Sequence, residues 1–382
     1  MKFFSSNLSI LLLGKFMSLF ASNLFTFVAG LTVLTTTGSG LQFAFVLLAG
    51  TLPRVLLSPF AGAYADKLDR KRVIIKMESL NGGLFLLAGI ASLLWTFEAP
   101  AFYVITFFLS IVSTFLSVTL SSSIPLLFEE EELQRANSLI QSIISISSIG
   151  TPLLAGALFK LIPIPAFLFS SALFFMIAAL LASRLTFHQK EVAPIEQSTW
   201  EDVRSGLSYL KQQRVLWTVA VLAAFLNFFF VATEVLFPIA ALQEVGVSPF
   251  QFGLLESMVA IGFLIASLLH ALPLFKIKHR LATMRSALTI LSVLFIGPAI
   301  PLYLNFNVLT SIFFFAMFAL LSGFFIVRVN VPIQLLLQTN TDPNYLGRVI
   351  GVLESLAMGI TPIGFILFGV LSDLVSVAHL YT

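Results

Sequence analysis

Apolar runs too long for an ordinary core helix, spaced by short turn segments, govern what this chain can fold into. A helix that crosses a bilayer needs about 20 apolar residues. Runs of that order occupy residues 8–35, 41–65, 73–96, 100–127, 136–161, 164–186, 214–241, 250–275, 281–303, 307–338 and 345–373, eleven in all. Lipid offers no partner to a free backbone N–H or C=O, so only helices and closed barrels cross it. Runs of this length predict helices. The breaks carry turn chemistry, as in Thr37-Gly38-Ser39-Gly40, Glu98-Ala99-Pro100, Pro163-Ile164-Pro165 and Thr341-Asp342-Pro343-Asn344. Composition agrees: 58% of the 382 residues are hydrophobic and 10% charged, against about 25% charged in soluble domains. The expectation is an all-α membrane protein.

Several classes drop out. The absence of Cys excludes disulfides, thiolate metal sites and cysteine nucleophiles. The four His sit at or near span ends or in loops, and no Walker loop, HExxH, GxSxG or metal-spaced His/Asp set occurs. Neither an enzyme nor a cofactor or metal site is expected. Basic residues lie in short loops between spans, which leaves no nucleic-acid footprint. Met1 and Lys2 before Leu11 to Leu13 resemble a signal peptide, but Lys15 interrupts the run and apolarity continues to about Thr35. That stretch reads as the first span.

Charge bias orients the chain. With a cytoplasmic N-terminus, the inner loops hold Lys67-Leu68-Asp69-Arg70-Lys71-Arg72, Arg135, Arg204 to Arg214, Lys276 to Arg280 and Arg348, and only Lys160 lies outside. The positive-inside rule favours this arrangement, and with it a multi-pass protein of the inner, cytoplasmic membrane. The longest polar segment, 187–213, divides the chain into 1–186, with six spans, and 214–382, with about five. Within it Ser198-Thr199-Trp200-Glu201 has capping-box spacing. Trp200, Val203, Leu207 and Leu210 share one face, which predicts an amphipathic helix along the cytoplasmic surface. The halves echo each other: Arg135 and Gly156, and Arg348 and Gly369, are each 21 positions apart, with Thr151-Pro152 and Thr361-Pro362 between them. Paired, Pro-interrupted helices at matching places point to internal repeats with a binding site between them.

The loop after the second run points to a family. Gly62-Ala63-Tyr64-Ala65-Asp66-Lys67-Leu68-Asp69-Arg70-Lys71-Arg72 resembles the major facilitator signature, with Asp69 where the family usually has a second glycine. Gly62 permits close helix approach, Asp66 can latch to a helix N-terminus or a cation, and Arg70 and Arg72 belong to the basic tail. Leu52-Pro53-Arg54, Arg135-Ala136-Asn137-Ser138, Phe252-Gly253-Leu254-Leu255-Glu256 and Gly347-Arg348-Val349 resemble the drug-efflux branch typified by macrolide and siderophore exporters. The resemblance implies the major facilitator fold, two pseudo-symmetric helical bundles, and alternating-access export of amphipathic small molecules coupled to protons by a monomer. Two features depart from the branch. No Arg stands between Ala101 and Phe128, and the antiporter Gly-Pro motif is reduced to Gly150-Thr151-Pro152 with Gly156. The family plan has twelve spans, whereas nine residues follow Asp373, so the sequence is expected to stop before a last helix.

Ionisable groups inside a span cost about 2.5–3.5 kcal/mol at its centre, so each is a functional candidate. Glu234 and Glu256 fall in the outer third of neighbouring spans. Two carboxylates close together in low dielectric resist double ionisation, so such a pair can carry a proton; alternatively both are ordinary groups facing a vestibule. Arg328 and Glu354 fall in the inner third and could pair across two helices; with Arg348 they are gating or structural candidates. Arg54, beside Pro53, is expected in a cavity, and Lys15 is expected to snorkel. Asn23, Asn227 and Asn330 add uncharged cavity candidates. The Phe228 to Phe230, Phe313 to Phe315 and Phe324-Phe325 clusters suit lipid contact and packing, or an apolar substrate surface. Uptake, or lipid, siderophore or metabolite transport, remains possible on the same fold. A non-transporting receptor or assembly partner has little use for embedded charges on several helices.

Overall fold

The computed structural model describes residues 6–67, 69–128, 130–187, 199–271, 279–340 and 346–382. Its elements are helical. In chain order they are α1 (Ser6–Thr37), α2 (Gly40–Lys67), α3 (Arg70–Leu94), α4 (Ala99–Leu127), α5 (Glu130–Leu158), α6 (Ile164–Ser183), α7 (Thr199–Gln212) and α8 (Arg214–Ile239). There follow α9 (Pro249–Ala271), α10 (Arg280–Phe295), α11 (Ala299–Tyr303), α12 (Val308–Asn340), α13 (Leu346–Gly359), α14 (Thr361–Leu374) and α15 (Val377–Leu380). Ten helices among the described residues are long and apolar enough to cross a membrane, and Ser142–Leu158 within α5 is a shorter apolar helix.

Proline sets several boundaries. Pro100, Pro165 and Pro362 stand at the first turns of α4, α6 and α14, where a missing N–H costs nothing. The two Thr-Pro sites behave differently. At Thr361-Pro362 the helix divides at Ile360, whereas α5 runs through Pro152. After Pro238 the end of α8 widens into a π-helical turn, Ala240–Glu244, because the ring removes one donor from the ladder.

The chain forms two compact units, Met1–Val33 with Val46–Glu196, and Leu34–Phe45 with Gln197–Thr382. In the first, α3 packs on α4 and α6. Phe25, Phe85, Phe102 and Phe175 form its centre, with Phe25–Phe85 centroids 4.9 Å apart edge-on and Phe85–Phe175 stacked at 5.5 Å. Gly82 and Gly89 of α3 make room for Met176 and Phe169 of α6: a Cβ would come within 2.7 Å and 2.8 Å of them. Asp69 caps α3, accepting from the Arg72 N–H at 3.2 Å and meeting Arg72 Nε at 3.3 Å. The residue in place of a second glycine is thus a helix cap.

In the second unit α9 and α12 cross closely, and α8 packs on α13 and α14. The turn before α2 belongs here: Gly38, at φ 68°, takes a left-handed conformation suited to glycine. Asp373, at the end of α14, accepts from the Ser39 hydroxyl and the Gly40 N–H, both at 2.6 Å, so it caps α2. The apolar face of α7 is used differently from the surface-lying role expected of it. Leu210 is fully buried with Leu216, Val352, Leu353 and Ala357, because α13 and α8 offer a protein surface for that face. Leu210→Ala is expected to destabilise the purified protein by about 2–5 kcal/mol, read as a fall in the detergent unfolding midpoint. Lipid-facing bulk lies elsewhere, on Leu87, Leu180 and Phe313, each more than half exposed.

Candidate functional site

Polar side chains recur at helical spacing on α1 and α4 of the first unit, and α2 adds Arg54 one turn from Gly50. Lys15, Ser18, Ser22 and Thr26 share a face of α1, Gly50 and Arg54 a face of α2, and Thr106, Ser110, Ser113 and Ser117 a face of α4. These faces, with Asn23 beside Ser22, line a cavity of about 220 Å³. Ser110 donates to the Gly50 carbonyl at 2.6 Å and fastens α4 to α2. Thr26 and Thr114 donate within their own helices, to Ser22 O at 2.9 Å and Ser110 O at 2.7 Å. Each such bond satisfies a hydroxyl inside the span without a partner helix.

Behind this wall lies an acid that the sequence reading passes over. Glu78 of α3 is 2% exposed. Its Oε1 accepts from the Ser18 hydroxyl at 2.5 Å, while Oε2 has no partner among the described residues. One turn on, fully buried Asn81 donates to Ser113 Oγ at 3.4 Å, and its Oδ1 is also unpartnered. Glu78 escaped notice because Arg70, Lys71, Arg72 and Lys76 precede it, which makes that part of the run look like a hydrated end. Lys15, expected to snorkel, lines the cavity together with Arg54.

The second unit holds the other carboxylates. Glu234 on α8 and Glu256 on α9 lie within electrostatic reach of each other, and Glu256 within reach of Tyr381. Glu234 keeps much of its own surface open and Glu256 is half-buried, yet protein atoms crowd both carboxylates. Neither has a hydrogen-bond or ion-pair partner among the described residues. Burial, then the charge of Glu256, pushes the Tyr381 phenol well above its usual range. It stays neutral, and its hydroxyl is unpartnered among the described residues.

The remaining candidates scatter. Asn227 is half-buried and donates to Ala223 O of its own helix at 2.9 Å. On α12, Arg328 is half-buried and Asn330 exposed. The side chains of Gly62, Asp66, Arg348 and Glu354 lie outside the described residues, and so does any Arg328–Glu354 contact. Phe315 is fully buried against Phe237 at 5.5 Å, whereas Phe313 is 65% exposed. Among the described residues no cluster of three metal-ligating side chains occurs.

Residues 11–372 match the family model described as Major Facilitator Superfamily. Macrolide efflux protein A of Streptococcus pyogenes is 26% identical over 353 residues, covering 90% of this chain and 84% of that protein. Multidrug efflux pump Tap of Mycolicibacterium fortuitum is 26% identical over 355 residues, covering 89% and 83%. Among solved structures, a bacterial homologue of the iron transporter ferroportin in its inward-facing state superposes with a TM-score of 0.74 at 20% identity, covering 98% of this chain and 94% of that one.

Proposed function

This chain belongs to the Major Facilitator Superfamily, and we propose that it exports amphipathic small molecules in exchange for protons by alternating access. The observation that carries the reading is a cavity of mixed lining, hydroxyls and two cations among leucines, walled by three otherwise apolar spans. A passive bundle would fill that space with side chains. The efflux roles in the names of its relatives support export as the direction.

In this reading Asn23, Arg54, Asn227 and Asn330 are the residues that contact substrate. Glu234 and Glu256 carry the coupled proton, since a carboxylate pair without a cation changes charge more readily than a salt-bridged one. Gly62, Asp66, Arg70 and Arg72, with Arg328, Arg348 and Glu354, act in gating. The protein works as a monomer in the inner membrane with its N-terminus cytoplasmic, as the basic loops suggest.

The test is accumulation of a dye panel and macrolides in efflux-deficient cells expressing the gene, with and without a protonophore. Lower accumulation, restored by the protonophore, is the expected result. Unchanged accumulation at good membrane expression would sink multidrug export and bring uptake or a dedicated siderophore, lipid or metabolite substrate forward.

A further inference from the structure

The cavity of the first unit is lined by two cations, a set of hydroxyls and four leucines, with no Asp or Glu among the described lining residues. Lys15 lies nine residues into α1 and Arg54 fourteen into α2, about 13 and 21 Å along their helices. Neither charged head has an ion-pair or hydrogen-bond partner among the described residues. Glu78 lies behind the wall and is not among the lining residues: its Oε1 accepts from Ser18, and its unpartnered Oε2 reaches neither Lys15 nor Arg54. Lys15 is half-buried and Arg54 exposed. Two cations on one cavity wall with no counter-charge among the described residues attract an anion, because pairing relieves their mutual repulsion.

Ser18, Thr26, Ser110 and Thr114 already donate to protein oxygens, but other neutral groups of the wall are donors in waiting. Ser22, Ser117 and the Asn23 amide make no side-chain hydrogen bond among the described residues. Thr106 is 1% exposed with its hydroxyl oxygen unpartnered. Hydroxyl, amide, guanidinium and ammonium groups can all donate to one oxyanion, and charge-assisted bonds of this kind are the strong ones. A space of about 220 Å³ suits a charged head group and the first atoms of an apolar body.

We propose that this cavity is an anion site, and that the exported molecule bears a carboxylate or similar oxyanion seated between Lys15 and Arg54. The inference rests on the export reading above and narrows its substrate class to organic anions. Arg54 supplies a planar fork for two oxygens, Lys15 a point charge, and Ser22 and Ser117 complete the hydrogen bonds.

The experiment compares dansylglycine with its methyl ester, the same body with and without the charge. Binding is followed by fluorescence anisotropy on the full-length protein in phosphatidylcholine nanodiscs, where no lipid headgroup competes as a net anion. The acid is expected to bind at least about tenfold more tightly than the ester, an interaction typical of a charge-assisted contact. In Arg54→Gln, and independently in Lys15→Gln, that ratio falls to about threefold or less, while Arg54→Lys retains most of it. Each variant is admitted only with a wild-type size-exclusion profile. Equal affinities for acid and ester in the wild type, or an undiminished ratio in both Gln variants, overturns the proposal. Transport in proteoliposomes separates the two readings. Preferential binding without movement of either dye sinks export and leaves the anion site standing, whereas export of both dyes alike sinks the anion site alone.

Discussion

Replacing Glu256 with Gln is expected to abolish gradient-driven export and to leave substrate exchange running. The substitution keeps the shape of the side chain and removes only its capacity to take and release a proton. Glu256 sits half-buried on α9, within reach of Glu234 and without a cation among the described residues. Tyr381 beside it is neutral, so it supplies no compensating charge. Folding is expected to survive, because a neutral amide costs less than a carboxylate inside a span. In everted vesicles, substrate accumulation driven by the proton gradient falls to the protonophore-treated level. Counterflow, which needs alternating access but no proton, continues at a rate near that of the wild type. Glu234→Gln behaves alike if the proton is shared across the pair. A variant that accumulates substrate normally removes its carboxylate from coupling. Loss of counterflow as well would make the defect one of access or binding.

The helices were far more legible than the contacts between them. Apolar runs and turn residues report the local solvent, and ten helices of spanning length follow from them. The cap at Asp69 was legible only as a departure from a motif, since the bond to Arg72 depends on where α3 starts. Periodicity places Leu210 on an apolar face, but it says only that a face is apolar and not that α8 and α13 residues surround Leu210. The cavity had a readable signal that went unused: Ser and Thr at helical spacing on α1 and α4. Glu78 was harder. Its meaning comes from Ser18, sixty positions earlier in the chain, and no local pattern announces such a pairing. Lys15 and Arg54 could be recognised as costly one by one, but their sharing of a single wall is a fact of packing.

Packing also supplies the change with the largest expected effect on the folded state. Gly262 of α9 and Gly323 of α12 face each other where the helices cross. A Cβ at Gly262 would strike the Leu320 carbonyl oxygen and one at Gly323 the Val259 carbonyl oxygen, with the Phe324 and Phe263 amide nitrogens 2.9 Å and 3.2 Å away. The obstacles are backbone atoms, so no rotamer change relieves them and the helices must part. In lipid the hydrophobic effect does not press helices together, and close backbone approach through small residues supplies the packing instead. Gly262→Ala is therefore expected to cost at least about 1–3 kcal/mol, as overpacking does in a tight core, and Gly262→Leu to leave little folded protein. Gly83, where an added Cβ meets nothing within 4 Å, serves as the control: Gly83→Ala should leave the unfolding midpoint near that of the wild type. The double variant Gly262→Ala/Gly323→Ala distinguishes a local clash from a shared one. If α9 and α12 separate once to relieve both contacts, the double variant costs little more than either single change. Additive losses would mean that each glycine is accommodated by its own local distortion, and full stability in Gly262→Ala would contradict the crossing itself.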